Sequence, residues 1–129
     1  MGLLGKGQIQ NVNDVQYEDI RVPEWDDAAE DGKAMVRIRG LGGDEVDKYE
    51  ASLMRLRKGR PEVAIQNATA RLVAWCLVDE NMSRMFVNED EVKELGKKSG
   101  KALQRCFDKA AELSGLRPGD VEAMVGDFD

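Results

Sequence analysis

Carboxylates are the groups most numerous and most clustered in this chain, so they are the first candidates for chemistry. Asp79 and Glu80 are adjacent, Glu89, Asp90 and Glu91 form a run, and eight acidic residues against one basic residue, Arg21, lie between Asp14 and Asp31. Paired carboxylates can divide general-acid and general-base roles, and clustered ones can ligate a hard cation. Neither pattern is completed here. A calcium loop needs oxygens at regular spacing, a turn Gly and a closing Glu, and Asp26-Asp27…Glu30-Asp31-Gly32 lacks that order. A solvated acidic loop is the ordinary reading. Glu89 to Glu91 follow Asn88 at the start of an apolar-periodic stretch, where capping and dipole roles account for them. The chain has no His, which removes the usual general base and the commonest metal ligand. Gly40-Leu-Gly-Gly43 is not followed by Gly-Lys-Ser/Thr at phosphate-loop spacing. The expectation is no catalytic residue, no metal site and no cofactor: a protein that works by binding, not an enzyme.

Candidate binding residues are fewer. Lys97, Lys101, Arg105 and Lys109 recur every four residues, which puts them on one face of a helix. Such a basic stripe either docks an acidic partner or is the solvated side of an amphipathic helix whose other face carries Leu103 and Phe107. No aromatic residue interleaves with it, which argues against a platform for single-stranded nucleic acid. Trp25, beside Pro23, is either an exposed anchor for a partner or a cover for one end of the core. Arg71 lies among Ala70, Leu72 and Val73, so it pairs with an acid at the core edge or reaches the surface along its own stem. Met54, Met82, Met85 and Met124 offer adaptable contact surface, or simply fill gaps in the core. Cys76 and Cys106 sit in apolar helical contexts and read as reduced, buried thiols rather than a disulfide.

The elements that must carry these residues follow from periodicity. With 129 residues, one domain with one core is expected. Residues 1–16 are polar, Gly/Asn/Gln-rich and aperiodic, and read as a flexible tail. In Lys33–Leu41, Val36 and Ile38 alternate with Arg37 and Arg39, which is strand periodicity. Paired with Tyr17–Trp25 across the turn Asp26–Gly32, it predicts a hairpin with a long acidic loop. Asp44 is a candidate cap for a helix with Val46, Tyr49, Leu53 and Leu56 on one stripe, broken at Lys58-Gly59-Arg60-Pro61. The next helix, from Val63 to Leu77, is apolar on most of its circumference and should be central, with Trp75 in the core. Asp79–Ser83 then reads as a turn and Arg84–Val87 as a return strand, with Asn81 the residue tolerant of positive φ. Asn88 and Glu91 form a capping box for a helix bearing Val92 and Leu95. Ser99 opens a last long helix with Leu103, Cys106, Phe107, Ala110 and Leu113, closed by Gly115, and Arg117–Asp120 opens a short final one. The fold class is α+β: a helix-dominated single domain over residues 17–126, with about four helices and one or two short β-hairpins, and an acidic end at 127–129. The longest apolar run, Leu72–Val78, has seven residues, far short of the roughly 20 that span a bilayer. Met1–Lys6 does not resemble a signal peptide, and Lys6 stands where a myristoylation pattern needs Ser or Thr. A formal net charge of −6 disfavours phosphate backbones as partners. No membrane and no nucleic-acid partner are expected.

An ordered set of short motifs supplies a more specific expectation. Val22-Pro-Glu-Trp25, Val36-Arg-Ile-Arg-Gly-Leu41, Asn67-Ala-Thr-Ala-Arg-Leu-Val73, Cys76-Leu-Val-Asp-Glu80, Arg84-Met-Phe86 and Leu95-Gly-Lys-Lys-Ser99 occur in that order. Over roughly residues 20 to 116 this resembles the tail assembly chaperones of long-tailed bacteriophages (siphoviruses). The turn here is Glu80-Asn81-Met82-Ser83 where that family favours Asp-Gly types, and the loop Asp26–Gly32 is longer and more acidic. The resemblance implies a non-catalytic factor in the host bacterial cytoplasm, absent from the mature virion. It implies binding to the tape measure protein and help in recruiting the tail tube protein. It also implies a longer product of the same gene made by ribosomal frameshifting, as a further partner. The alternative is a structural virion component, a head–tail connector or minor tail protein.

Overall fold

The computed structural model describes residues 2–59 and 61–116, with the backbone alone over 54–66. Its elements, in order, are helix α1 (Lys6–Asn11), strand β1 (Tyr17–Arg21), a 3-10 helix (Pro23–Ala28), strand β2 (Met35–Arg39), helix α2 (Gly43–Gly59), helix α3 (Pro61–Cys76), strand β3 (Leu77–Val78), helix α4 (Glu89–Leu95) and helix α5 (Gly100–Ser114). The class is α+β, as the periodicities predict. The expected short final helix at Arg117–Asp120 and the acidic end at 127–129 lie outside the described residues.

The hairpin is present. β1 and β2 pair antiparallel with Ile20 opposite Val36 and Asp19 opposite Arg37. Alternation sorts the two faces. Ile38 is fully buried, Ile20 and Val36 pack against the core, and Glu18 on the same face ion-pairs with α5. Tyr17, Asp19, Met35 and Arg37 take the outer face. The long loop is more structured than a solvated one. Pro23 starts its 3-10 turn, Asp26 Oδ1 accepts the Ala34 N–H at 2.8 Å, and Asp26 Oδ2 accepts from Arg21 at 3.1 Å. One carboxylate thus ties the loop to both strands.

The second expected hairpin is corrected. The apolar run Leu72–Val78 looks like continuous helix, but α3 stops at Cys76 and Leu77–Val78 joins the sheet as a third strand, in the order β1-β2-β3. Leu77 lies opposite Ile38 and Val78 opposite Arg37. The expected return strand at Arg84–Val87 is reduced to a single bridge between Val78 and Arg84. In the turn, Asp79 Oδ1 accepts the N–H groups of Asn81 and Ser83 at 2.8 and 3.1 Å, and Met82, not Asn81, takes the positive φ of 65°.

Helix ends follow the capping rules with one change. Asn88 accepts the Glu91 N–H at 2.9 Å while Glu91 accepts the Asn88 N–H at 3.2 Å, the expected box. Ser99 accepts the Ala102 N–H at 3.3 Å, and Gly115 ends α5 with φ 76°. For α2, Asp44 is not the cap: it already lies in the first turn. Gly42 precedes the helix, and Glu45 folds back to accept its N–H at 3.0 Å.

α3 is the central element, packed by α2, α4, α5 and β2. Its Ala70, Leu72, Val73, Ala74 and Cys76 are buried with Tyr49 and Leu53 of α2, Val92 and Leu95 of α4, and Leu103, Cys106 and Ala110 of α5. Each fully buried large side chain in this set contributes about 1.5–3 kcal/mol. The C-terminal end of α5 is pressed against the end of β2. A Cβ on Gly40 would lie 2.8 Å from the Leu113 carbonyl carbon, so only Gly fits there. Ser114 Oγ accepts the Leu41 N–H at 3.0 Å beside it. Residues 1–16, read as an aperiodic tail, contain the helix α1, whose residues are all exposed.

Candidate interaction surface

The basic stripe is not one surface. Lys97 lies in the turn after α4, because the chain leaves the helix at Gly96 and re-enters one only after Ser99, so only Lys101, Arg105 and Lys109 belong to α5. Arg105 Nε binds Glu24 at 2.9 Å, and Lys109 Nζ binds Glu18 and Glu112, each at 3.0 Å. The Arg105 guanidinium, with Glu24's own backbone N–H, holds the Glu24 carboxyl below its ordinary range. Glu18 and Glu112 raise Lys109. The acidic window before residue 31 is therefore the partner of much of this stripe, within the same chain. Lys97 and Lys101 make no ion pair among the described residues. Trp25 is half-buried and packs against the core beside α5, covering its end. None of Trp25, Lys97, Lys101, Arg105 and Lys109 lines the groove described below.

Arg71 is 6% exposed and makes a two-pronged pair with Glu89, at 2.6 and 2.9 Å, that joins α3 to the first turn of α4. Both alternatives for this residue meet: the stem is buried and the head reaches an acid at the core edge. Its Nε is buried without a partner among the described residues. The Arg71 hydrogen bonds hold the Glu89 carboxyl low. A second cluster is invisible in the sequence spacing. Glu45 takes Arg39 at 3.2 Å and Arg84 at 2.8 Å, and Arg84 lies 4.7 Å above the ring of Trp75. Burial pushes the Glu45 carboxyl up, but the Gly42 N–H, Arg39 and Arg84 outweigh it and bring it below its ordinary value. Trp75 is only half-buried, edge-on to Tyr49 at 6.0 Å between ring centres. The first cluster pins helix to helix and the second pins β2 to α2; neither has a nucleophile and base in reach of each other.

Cys76 and Cys106 are free and buried, as expected. Burial pushes their thiols up to about 12 and about 11, which disfavours the thiolate that a nucleophile requires. Among the described residues no three His, Cys, Asp or Glu side chains gather as a metal site. No helix among them is long and apolar enough to cross a membrane.

The surface feature that does stand out lies on the outer face of the sheet. β3 ends at Val78, opposite Arg37, so Met35 and Val36 are paired with β1 on one side and have no strand beside them on the other. The chain instead turns outward at Asp79. The result is an open groove of about 270 Å³ lined by Met35, Val36, Val78 and Met85, with Asp19, Arg37, Asp79 and Glu80 around them. Met35 is 53% exposed, Met85 43% and Met82 37%, an unusual grouping of flexible apolar side chains. Arg37 is held by Asp19 at 2.7 and 3.1 Å and lies 4.6 Å from the Tyr17 ring centre. The Arg37 hydrogen bond keeps the Asp19 carboxyl low, so the pair stays ionised and self-neutralised. Asp79 and Glu80 leave the groove net acidic. Met82 and Met85 were legible as possible contact residues; Met35 was not, because strand alternation alone does not tell a wet outer face from a groove. Met54's side chain and Met124 lie outside the described residues.

Comparison with protein-family models, with curated proteins and with solved structures finds no match for the chain.

Proposed function

We propose that this chain is a tail assembly chaperone of a siphovirus. It binds the tape measure protein in the host bacterial cytoplasm and helps deliver tail tube subunits, without being an enzyme or a part of the mature virion. The observation that carries the reading is the methionine-lined groove. A long helical client exposes apolar stripes before assembly, and a holding factor needs an apolar, adaptable patch rimmed by charge. Met35 and Met85 provide the patch, and Asp79 and Glu80 the rim. The ordered motifs between Val22 and Ser99 support the same reading through their likeness to that family. A nucleic-acid role has less support, since Arg105 and Lys109 are already engaged by Glu24 and Glu18. A frameshifted longer form that shares this domain would share the groove.

Co-expression with the tape measure protein tests this. The client is expected to become soluble and to co-purify with the wild-type chain, and to be lost with a Met35→Glu, Met85→Glu double variant that is itself folded. A client that stays insoluble, while the chain alone assembles into rings or tubes, would favour a structural virion component instead.

A further inference from the structure

Apart from Tyr17 and Val87, the large apolar side chains exposed among the described residues fall in two places. Met35 and Met85 line the groove, with Met82 in the adjoining turn, and Leu3, Leu4, Ile9 and Val12 belong to the N-terminal segment. Leu3 is fully exposed, Leu4 is 67%, Ile9 59% and Val12 58% exposed, so none of these side chains is buried among the described residues. Yet Lys6–Asn11 is helical, with Gly5 donating its N–H to Gln8 Oε1 at 2.8 Å. A helix of this length has little stability in water without a surface to pack on. Residues 2–13 carry a single charged side chain, Lys6, and the groove carries three carboxylates, Asp19, Asp79 and Glu80, against one guanidinium, Arg37.

We propose that the N-terminal segment of one copy docks into the methionine groove of a second copy, seating Ile9 and Val12 against Met35 and Met85 with Lys6 beside Glu80. The two surfaces are complementary in kind. One is a segment with apolar side chains on and beside a short helix and one positive charge; the other is an open apolar trough with a net negative rim. Flexible methionines adapt to such a ligand without a preformed socket. Within one chain the segment leaves its own groove open, and a second copy is the occupant that covers both exposed surfaces at once. The arrangement requires nothing of any client: it concerns this chain alone. A client that uses the same groove would displace the segment.

Sedimentation velocity of the full chain over a concentration series is the test, with Ile9→Glu and Met85→Glu as full-length variants at exposed positions. Wild type is expected to associate reversibly, and each variant alone to associate at least about tenfold more weakly, the consequence of losing one buried apolar side chain. Mixing the two variants should restore a complex, because one supplies an intact segment and the other an intact groove. Lys6→Glu should weaken association and Glu80→Lys, added to it, should restore it. A monomeric wild type at high concentration would overturn the proposal, whether the segment is free or folds back on its own groove. Association that persists unchanged in both variants would overturn it too, by placing the contact elsewhere. Neither result would bear on whether the tape measure protein is bound.

Discussion

Arg71 concentrates the most energetic tension into one side chain. Its guanidinium is almost wholly buried, its Nε has no partner among the described residues, and Glu89, its one counter-ion among them, is 66% exposed on its side. A pair so lopsided owes more to the cost of stranding the buried charge than to the attraction itself. Glu89→Ala should therefore destabilise by about 1–3 kcal/mol, because the guanidinium remains buried without its acid. Arg71→Met removes the charge and keeps the stem's packing, and should cost less than about 1.5 kcal/mol. Urea unfolding midpoints give the order directly. If Arg71→Met is the more damaging change, the ion pair itself is what holds α3 to α4. The sequence singled out Arg71 as a charge in apolar company, but not its partner, since capping already explained the acids that open α4. A local role that is sufficient hides a tertiary one.

At the scale of elements, α4 shows how much a short helix depends on its cap. It spans Glu89–Leu95 and buries only Val92 and Leu95. Asn88→Ala removes the acceptor for the Glu91 N–H and should cost about 1 kcal/mol, while Asn88→Asp should retain most of the stability. Hydrogen exchange should show the loss first at the amides of the first turn of α4, including Glu91. Equal acceleration throughout α3 and α5 would mean that the cap acts on global stability instead. The cap, the α5 start at Ser99, its end at Gly115 and the β1–β2 hairpin were legible because each is written in neighbouring residues. The helix-to-strand switch at Leu77 was not, because Leu72–Val78 is apolar throughout and periodicity cannot separate a buried helix from a buried strand. What decides it is Ile38 and Arg37 on a strand some 40 positions earlier, within reach only once the sheet forms. The groove is a consequence of that switch: two residues of strand leave Met35 uncovered. The basic stripe failed for the opposite reason. Its four-residue spacing was real, but Gly96 and Ser99 cut it, and the long-range pairs Arg105–Glu24 and Lys109–Glu18 filled it from within.

For the whole molecule, these pairs set a pH range of stability with two differently built edges. Asp19, Glu24, Glu45, Glu89 and Glu91 are all held below their ordinary values, by arginine partners or, for Glu91, by the N–H groups of Val87 and Asn88. A depressed carboxyl binds fewer protons in the folded than in the unfolded chain. Its contribution is complete above the unfolded value, 4.5 for Glu and 3.8 for Asp, and is lost as pH falls through the folded one. Cys76 and Cys106 act at the other edge. Burial raises them from 9.0 to about 12 and about 11, so the folded chain keeps protons that the unfolded chain has released, and stability is lost as pH rises from 9.0 through those values. Lys109, raised by Glu18 and Glu112, works in the same direction above its ordinary 10.5. Urea midpoints measured across pH should therefore be level from about pH 5 to about pH 9 and fall on both sides. The acid arm should be carried by the surface pairs and the alkaline arm by the core together with the Lys109 pairs. Cys76→Ala with Cys106→Ala should shrink the alkaline arm to the part carried by Lys109 and by the Tyr49 hydroxyl, which burial also raises, and leave the acid arm unchanged, whereas Glu24→Gln with Glu45→Gln should shrink the acid arm alone. An alkaline arm untouched by removal of both thiols would mean that their burial is not what limits the fold at high pH.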